Sequence, residues 1–240
     1  LKRLVDREKI TEVAREAALA LITPVAGSGS FGAADLVIEA ATEREDIKRA
    51  IFADVGKTLR EDAILASNTS SIPITRMAQA SPDPARFIGI HFFNPAPLMP
   101  LVEIIPAVQT APNYLNSTLE LIQSWKKITV VCKDTPGFIV NRVARPFYGE
   151  ALRIYDEGIA DFATIDWAMT NFGGFKMGPF ALMDYIGNDV NYAVTESVFS
   201  AFYLSNIYGT IFDLKRIKIE KKKHFLYEVA DYQSSGVYLY

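Results

Sequence analysis

The sequence holds one cysteine, Cys132, among 240 residues. A lone thiol closes no internal disulfide, so packing rather than cross-linking must hold the fold. That usage suits a reducing compartment: cytoplasm, or the mitochondrial matrix in a eukaryote. Positive charge is not in excess either, since the net charge is −3. Nucleic-acid-binding domains are usually strongly basic, so this class is set aside. No apolar run approaches the roughly eighteen residues of a membrane span. No signal peptide is visible, because residues 1–16 are charged and periodic. Histidine is nearly as scarce as cysteine, with His91 and His224 alone, and no metal site is expected.

What is present is ordinary for a soluble globular chain: 50% hydrophobic and 22% charged residues. The length allows one large domain or two modest ones. Ile10, Val13, Ala14, Ala17 and Ala18 recur at helical spacing, with Thr11 as a candidate cap. The chain thus reads as opening within a helix, as though residues precede it. Leu36, Val37 and Ile38 form a compact apolar run, expected to be a buried strand. Ile47, Ile51, Val55 and Leu59 mark a helix. Short apolar strands are expected at 63–66, 87–93, 101–105 and 128–132. A short helix follows Pro73, and Leu115, Leu119, Ile122 and Trp125 form another helical stripe.

This alternation predicts a mostly parallel sheet with helices on its faces. In such sheets ligands bind outside the carboxyl ends of the strands. The pattern changes at Asp134-Thr135-Pro136-Gly137. A long helix is expected over 138–158, kinked by Pro146. A second covers 163–172 and ends at Gly173-Gly174. A third begins at Pro179, a favoured first-turn residue. The expected division is an α/β domain over 1–133 and an all-helical domain over 134–240. The basic run at 215–223 reads as a solvated helix face.

Gly27-Ser28-Gly29-Ser30-Phe31-Gly32 matches G-x-G-x-x-G. The mechanism of that motif needs a strand before it and a helix opening at its end, where the N-terminus meets a pyrophosphate. Here a strand follows instead, and no acidic ribose-binding residue follows in context. The segment is expected to be a flexible loop.

His91 ends an apolar strand, in Ile90-His91-Phe92-Phe93-Asn94-Pro95. Alone it reads as a core histidine satisfied by a carbonyl. Its neighbours shift the balance. Glu103, flanked by Val102 and Ile104 in the next strand, needs a partner if buried. If the strands are adjacent, it can accept from one imidazole nitrogen, fix the tautomer and favour the protonated ring. Asn68-Thr69-Ser70-Ser71 follows a strand at the ligand edge; it also reads as a helix cap. Asn141 lies in the first turns of the long helix, where its amide could hold a carbonyl oxygen. Glu43 and Lys48 follow the strand at 36–38; the plain alternative is an exposed helix N-terminus.

Asn68-Thr69-Ser70-Ser71, His91-Phe92-Phe93-Asn94-Pro95, Val102-Glu103, the run from Lys133-Asp134-Thr135-Pro136-Gly137-Phe138 through Asn141-Arg142, and Met177-Gly178-Pro179-Phe180 together resemble the 3-hydroxyacyl-CoA dehydrogenase family. Order and spacing agree over residues 1–203, nearest the short 3-hydroxybutyryl-CoA type. The resemblance implies a Rossmann-type NAD domain followed by a helical dimerisation domain. It implies His91 as the proton-transferring residue and Glu103 as its orienting carboxylate. Ser70 and Asn141 match residues contacting the substrate oxygens. Glu43, Lys48, Ser70 and Asn94 match residues around the nicotinamide ribose. The implied partners are an acyl-CoA and a second copy of the chain.

Two departures accompany the match. The family opens with a strand, Gly-rich turn and helix that hold the cofactor's pyrophosphate; the chain is expected to begin after them, which weakens NAD binding. From Leu204 onward the match is faint. Two alternatives follow: a dehydrogenase of another substrate on the same scaffold, such as L-gulonate 3-dehydrogenase, and a cofactor-less fragment acting as a dimerising partner.

Overall fold

The computed structural model describes residues 1–202; the basic run at 215–223 and His224 lie outside the described residues. In chain order the elements are α1 (Lys2–Asp6), α2 (Glu12–Ala20), β1 (Leu36–Glu39), α3 (Glu45–Val55), β2 (Ile64–Ser67), α4 (Ile74–Ala78), β3 (Phe87–Phe92), β4 (Leu101–Pro106), α5 (Pro112–Ser124), β5 (Ile128–Val131), α6 (Val140–Asp156), α7 (Phe162–Asn171), α8 (Pro179–Ile186) and α9 (Asn188–Phe202).

The strands form one sheet in the order β1-β2-β3-β4-β5. Only the β3–β4 pairing is antiparallel; the others are parallel. Period-two alternation divides the strand residues between two cores. Leu65, Phe87 and Ile105 face α3 and α4, meeting Phe52, Val55, Ile74 and Met77. Ala66, Ile88, Ile90, Val102 and Ile104 face α5, meeting Ile122 and Leu119. Gly89 belongs to the first face, where a Cβ would lie 2.8 Å from Ile74. Its missing side chain is what lets α4 settle onto β3.

After β5 the described elements are all helical. Tyr148, Leu152, Phe162, Ile165, Phe180 and Met183 build a third core among α6, α7 and α8. α6 is one continuous helix across Pro146.

Several elements depart from expectation. Strand β1 is only half-buried until Glu39; it lies at the edge of the sheet formed by the described residues. The expected flexible loop at 27–32 includes a 3-10 helix, Ser28–Ala33. The Thr58 hydroxyl ties it down by donating to the Ser28 carbonyl at 3.0 Å. Helix α2 forms with the expected cap, Thr11 accepting from the Ala14 N–H at 3.1 Å. Among the described residues, however, none of α2 is buried.

The cap of α4 is not supplied by Asn68-Thr69-Ser70-Ser71. It comes from Asp134, which accepts from the N–H groups of Ile74 at 2.9 Å and Thr75 at 2.7 Å. Distant carboxylates serve helix starts because two otherwise orphaned N–H groups gain partners and the helix dipole favours an anion there. Asp166 does the same for α8, accepting from Phe180 and Ala181 at 2.9 and 2.8 Å. Replacing Asp134 with alanine should lower unfolding stability by about 0.5–2 kcal/mol, the usual range for a lost cap. Urea denaturation reads this directly; an unchanged midpoint would show that the cap contributes nothing net.

Candidate active site

The antiparallel register of β3 and β4 sets His91 directly opposite Glu103. Opposed residues share a face, so the two side chains must meet. His91 Nδ1 lies 2.7 Å from Glu103 Oε2. The side chains are 7% and 0% exposed. The other carboxylate oxygen, Oε1, accepts from the N–H groups of Ile139 and Val140, each at 2.9 Å. Those groups open α6. Glu103 therefore joins the sheet to the helical region and orients the histidine at once.

The turn before α6 makes this possible. Gly137 (φ 74°) and Phe138 (φ 46°) both adopt left-handed backbone, which aims the next two N–H groups at the carboxylate. Glycine takes this conformation freely, whereas Phe138 carries strain of order 1–2 kcal/mol. Its ring is used: it sits 5.7 Å from the imidazole, with Phe93 at 4.7 Å on the same ring.

Burial opposes ionisation of Glu103, yet its carboxyl is held below the ordinary glutamate value. The His91 imidazole and the N–H groups of Val140 and Ile139 outweigh the desolvation. An anionic Glu103 accepts, so Nδ1 carries hydrogen and Nε2 is the nitrogen left for chemistry.

A second network lies at the carboxyl ends of β1 and β2. Lys48 is enclosed, at 1% exposed, and does not lie on an exposed helix N-terminus. Its ammonium reaches both Glu39 oxygens, at 2.8 and 2.9 Å, and Glu43 Oε2 at 3.5 Å. Glu39 also accepts from the Ser67 hydroxyl at 2.9 Å. A buried cation needs such compensation, and the carboxylate that ends β1 supplies it. Glu39 escaped sequence reading; its signal was an acidic residue closing an apolar strand.

Glu43 organises the loop that carries Ser70. Its Oε1 accepts from the Thr69 hydroxyl, from the Ser70 N–H at 3.0 Å and hydroxyl at 3.3 Å, and from the Ser71 N–H at 3.1 Å and hydroxyl at 3.0 Å. Partial burial opposes its charge, but Thr69, Lys48, Ser71 and Ser70 together keep its carboxyl below the ordinary value. The same loop is fastened to β3, because Asn68 Oδ1 accepts from the Phe92 N–H at 2.9 Å. The Ser70 loop thus sits beside the end of the histidine strand.

Asn141 is half-buried in the first turn of α6, next to Val140. Its side-chain amide makes no hydrogen bond with a described residue. Asn94 is exposed just beyond β3 and is joined to neither network. A cavity of about 550 Å³ runs along α6 and is lined by Ile139, Val140, Val143, Phe147 and Met177, among others, with Lys176 as its one cationic residue. Among the described residues no group of three or more His, Cys, Asp or Glu side chains could hold a metal ion. None of the described helices is long and apolar enough to cross a membrane. Cys132 is buried, with its thiol pushed up to about 12 by burial and the charges of Glu103 and Asp134, so it is not a nucleophile.

Residues 1–135 match the family model of the 3-hydroxyacyl-CoA dehydrogenase NAD binding domain, and residues 137–226 match that of its C-terminal domain. The 3-hydroxyadipyl-CoA dehydrogenase of Escherichia coli (strain K12) is 48% identical over 203 residues, covering 85% of this chain and 43% of the relative. The fatty acid oxidation complex subunit alpha of Acinetobacter baylyi is 44% identical over 189 residues, covering 79% of this chain and 26% of the relative. The chain thus spans less than half the length of these curated relatives. The crystal structure of a (S)-3-hydroxybutyryl-CoA dehydrogenase from Ralstonia eutropha superposes with a TM-score of 0.86 at 38% identity, covering 91% of this chain and 77% of that one. A Rossmann-like sheet followed by a helical region, with both family models matched in order, shows that this chain belongs to the 3-hydroxyacyl-CoA dehydrogenase family of oxidoreductases.

Proposed function

We propose that the protein interconverts the C3 hydroxyl and keto forms of an L-3-hydroxyacyl-CoA with NAD. The observation that carries this reading is the buried His91–Glu103 pair at the start of α6, with Nε2 left free. The Escherichia coli relative is named for 3-hydroxyadipyl-CoA and the Ralstonia eutropha structure for 3-hydroxybutyryl-CoA. A 3-hydroxyacyl thioester is common to both, and this is the substrate class proposed.

In oxidation the substrate hydroxyl donates its proton to His91 Nε2. Glu103 offsets the imidazolium charge and holds the ring in place. In reduction the protonated ring returns the proton to the developing alkoxide. Ser70 and Asn141 position the C3 and thioester oxygens; two reactants held in register supply much of such a rate enhancement.

The residues fit the nicotinamide–ribose half of NAD. Among the described residues Glu43 Oε2 meets only Lys48, at 3.5 Å, and so keeps acceptor capacity for a ribose hydroxyl, with Ser70 and Asn94 flanking. The enclosed Lys48 acts there by holding Glu43. Bound NAD would supply the acceptor for the C3 hydride. The 3-10 helix at Ser28–Ala33 leads into a strand rather than an α-helix, so it offers no helix-dipole site for the pyrophosphate.

We divide the chain into domains at residue 133 and assign dimerisation to the helical part. Exposed Trp167, Phe172 and Val190 support this, at 55%, 79% and 50%. A cytoplasmic setting accords with the single, buried thiol. The deciding experiment follows NADH consumption by the full-length protein with acetoacetyl-CoA, beside NAD reduction with L-gulonate. Thioester turnover without sugar-acid oxidation is expected. The reverse preference would overturn the substrate class, and absence of saturable NAD binding would favour the cofactor-less partner.

A further inference from the structure

We propose that Lys176 selects substrates whose acyl chain ends in a carboxylate. This rests on the 3-hydroxyacyl-CoA reading above and names the end of the chain that the cavity would read.

The cavity begins at the first turn of α6, next to the His91–Glu103 pair. Two of its wall residues, Ile139 and Val140, are the ones whose N–H groups hold Glu103. At 100° per residue, Asn141 lies about 60° from Ala144 and about 20° from Tyr148 around α6, and both of these line the cavity. A substrate held by Asn141 at C3 thus has the cavity as the natural path for its tail. From Val140 to Phe147 the helix rises about 10 Å, enough for a short acyl chain.

The walls are apolar apart from one cation. Apolar walls suit methylenes, and the methyl end of a simple fatty acyl chain gains nothing from an ammonium. Lys176 makes no ion pair with any described residue. A carboxylate arriving at the end of the tail would meet it beside low-dielectric walls, where the attraction is less screened than in open water. The phosphates of CoA are a poorer match, because several negative charges on one lone cation in an apolar groove would stay largely unpaired.

The backbone around Lys176 is also fixed. The Phe175 ring lies 4.7 Å from that of Phe147, and the Phe175 N–H donates to the Met169 carbonyl at 3.2 Å. On the other side, Asp166 caps α8 from Phe180 onward. The lysine is therefore presented by two anchored neighbours, which limits what must be ordered on binding.

The test compares 3-hydroxyadipyl-CoA with 3-hydroxyhexanoyl-CoA, equal in length and differing in the terminal carboxylate. For the full-length protein, the ratio of their kcat/KM values should fall about tenfold in Lys176→Gln, as for a charge-assisted contact partly open to water, mainly through KM. Lys176→Arg should restore most of the ratio. An unchanged ratio in Lys176→Gln overturns the proposal, whether both substrates slow equally or neither does. A protein that turns over neither thioester while binding NAD refutes the substrate class itself, which the wild-type rates alone reveal. Lys176 is exposed, so Lys176→Gln should melt with the wild type, and the comparison stands on folded protein.

Discussion

Replacing His91 with glutamine should lower kcat for acetoacetyl-CoA reduction by about 10³-fold, within the range that a positioned general acid–base group supplies. Glutamine is close in size and can still donate to Glu103 through its amide, so the buried carboxylate keeps a partner. What it cannot do is carry a proton to the substrate oxygen. The loss should therefore fall on kcat, with KM changed little, because the contacts proposed for Ser70 and Asn141 with the thioester and C3 oxygens do not pass through His91. Thermal unfolding of the variant should stay near that of the wild type, which separates a chemical loss from a collapsed site. Near-normal turnover in a folded His91→Gln protein would remove the histidine from the mechanism. Saturable NADH binding by the variant completes the test, since the ribose contacts assigned to Glu43, Ser70 and Asn94 do not pass through His91.

The parts of this site that were legible in the sequence share a reason. His91 and Glu103 are polar residues placed inside short apolar strands, and a strand side chain has only two directions in which to point. Once β3 and β4 pair, little freedom remains. The register that sets them opposite one another could not be read in advance, because the 93–100 connection gives no two-residue turn signal. The place of Asn141 in the first turn of α6 was legible from Pro136-Gly137, after which a helix had to start.

What was not legible depends on distance along the chain. Asp134 caps a helix sixty residues upstream, by contacts at 2.9 and 2.7 Å. Local capping rules look a few residues away, so they pointed to Asn68-Thr69-Ser70-Ser71 instead. Lys48 looked like a solvated helix start, since long cations usually are; only the return of β1 beside β2 brings Glu39 and Ser67 around it. The apolar stripe of α2 shows the converse. Its period is real, but burial needs a partner surface, and Val13 is 76% exposed. Lys176 lies between Phe175 and Met177, where local pattern gives no hint that it lines a cavity along α6.

Glu103 carries the other large expected effect, because one side chain serves two structures. Glu103→Ala removes the acceptor for His91 Nδ1 and for the Ile139 and Val140 N–H groups together. Leaving several buried donors without their acceptor costs about 3–5 kcal/mol in all, at about 1–3 kcal/mol each. The variant should lose that much in urea unfolding at neutral pH, and activity should fall with it, since the imidazole loses its orientation. Glu103→Gln separates the two roles. Its amide oxygen can still accept from α6, so stability should recover in part, while the imidazolium formed during turnover stays unbalanced and kcat remains low. Acidity gives an independent check. The folded carboxyl is held below its ordinary value, so the unfolded chain takes up its proton first. The stabilisation is complete above the ordinary glutamate value of about 4.3 and is lost as pH falls through it toward the lower folded value. The stability gap between wild type and Glu103→Ala should accordingly be widest at neutral pH and narrow on acidification. A gap that stays constant from pH 7 to pH 3 would mean that Glu103 works by shape rather than charge, and His91 would then lose the anion that makes it a base.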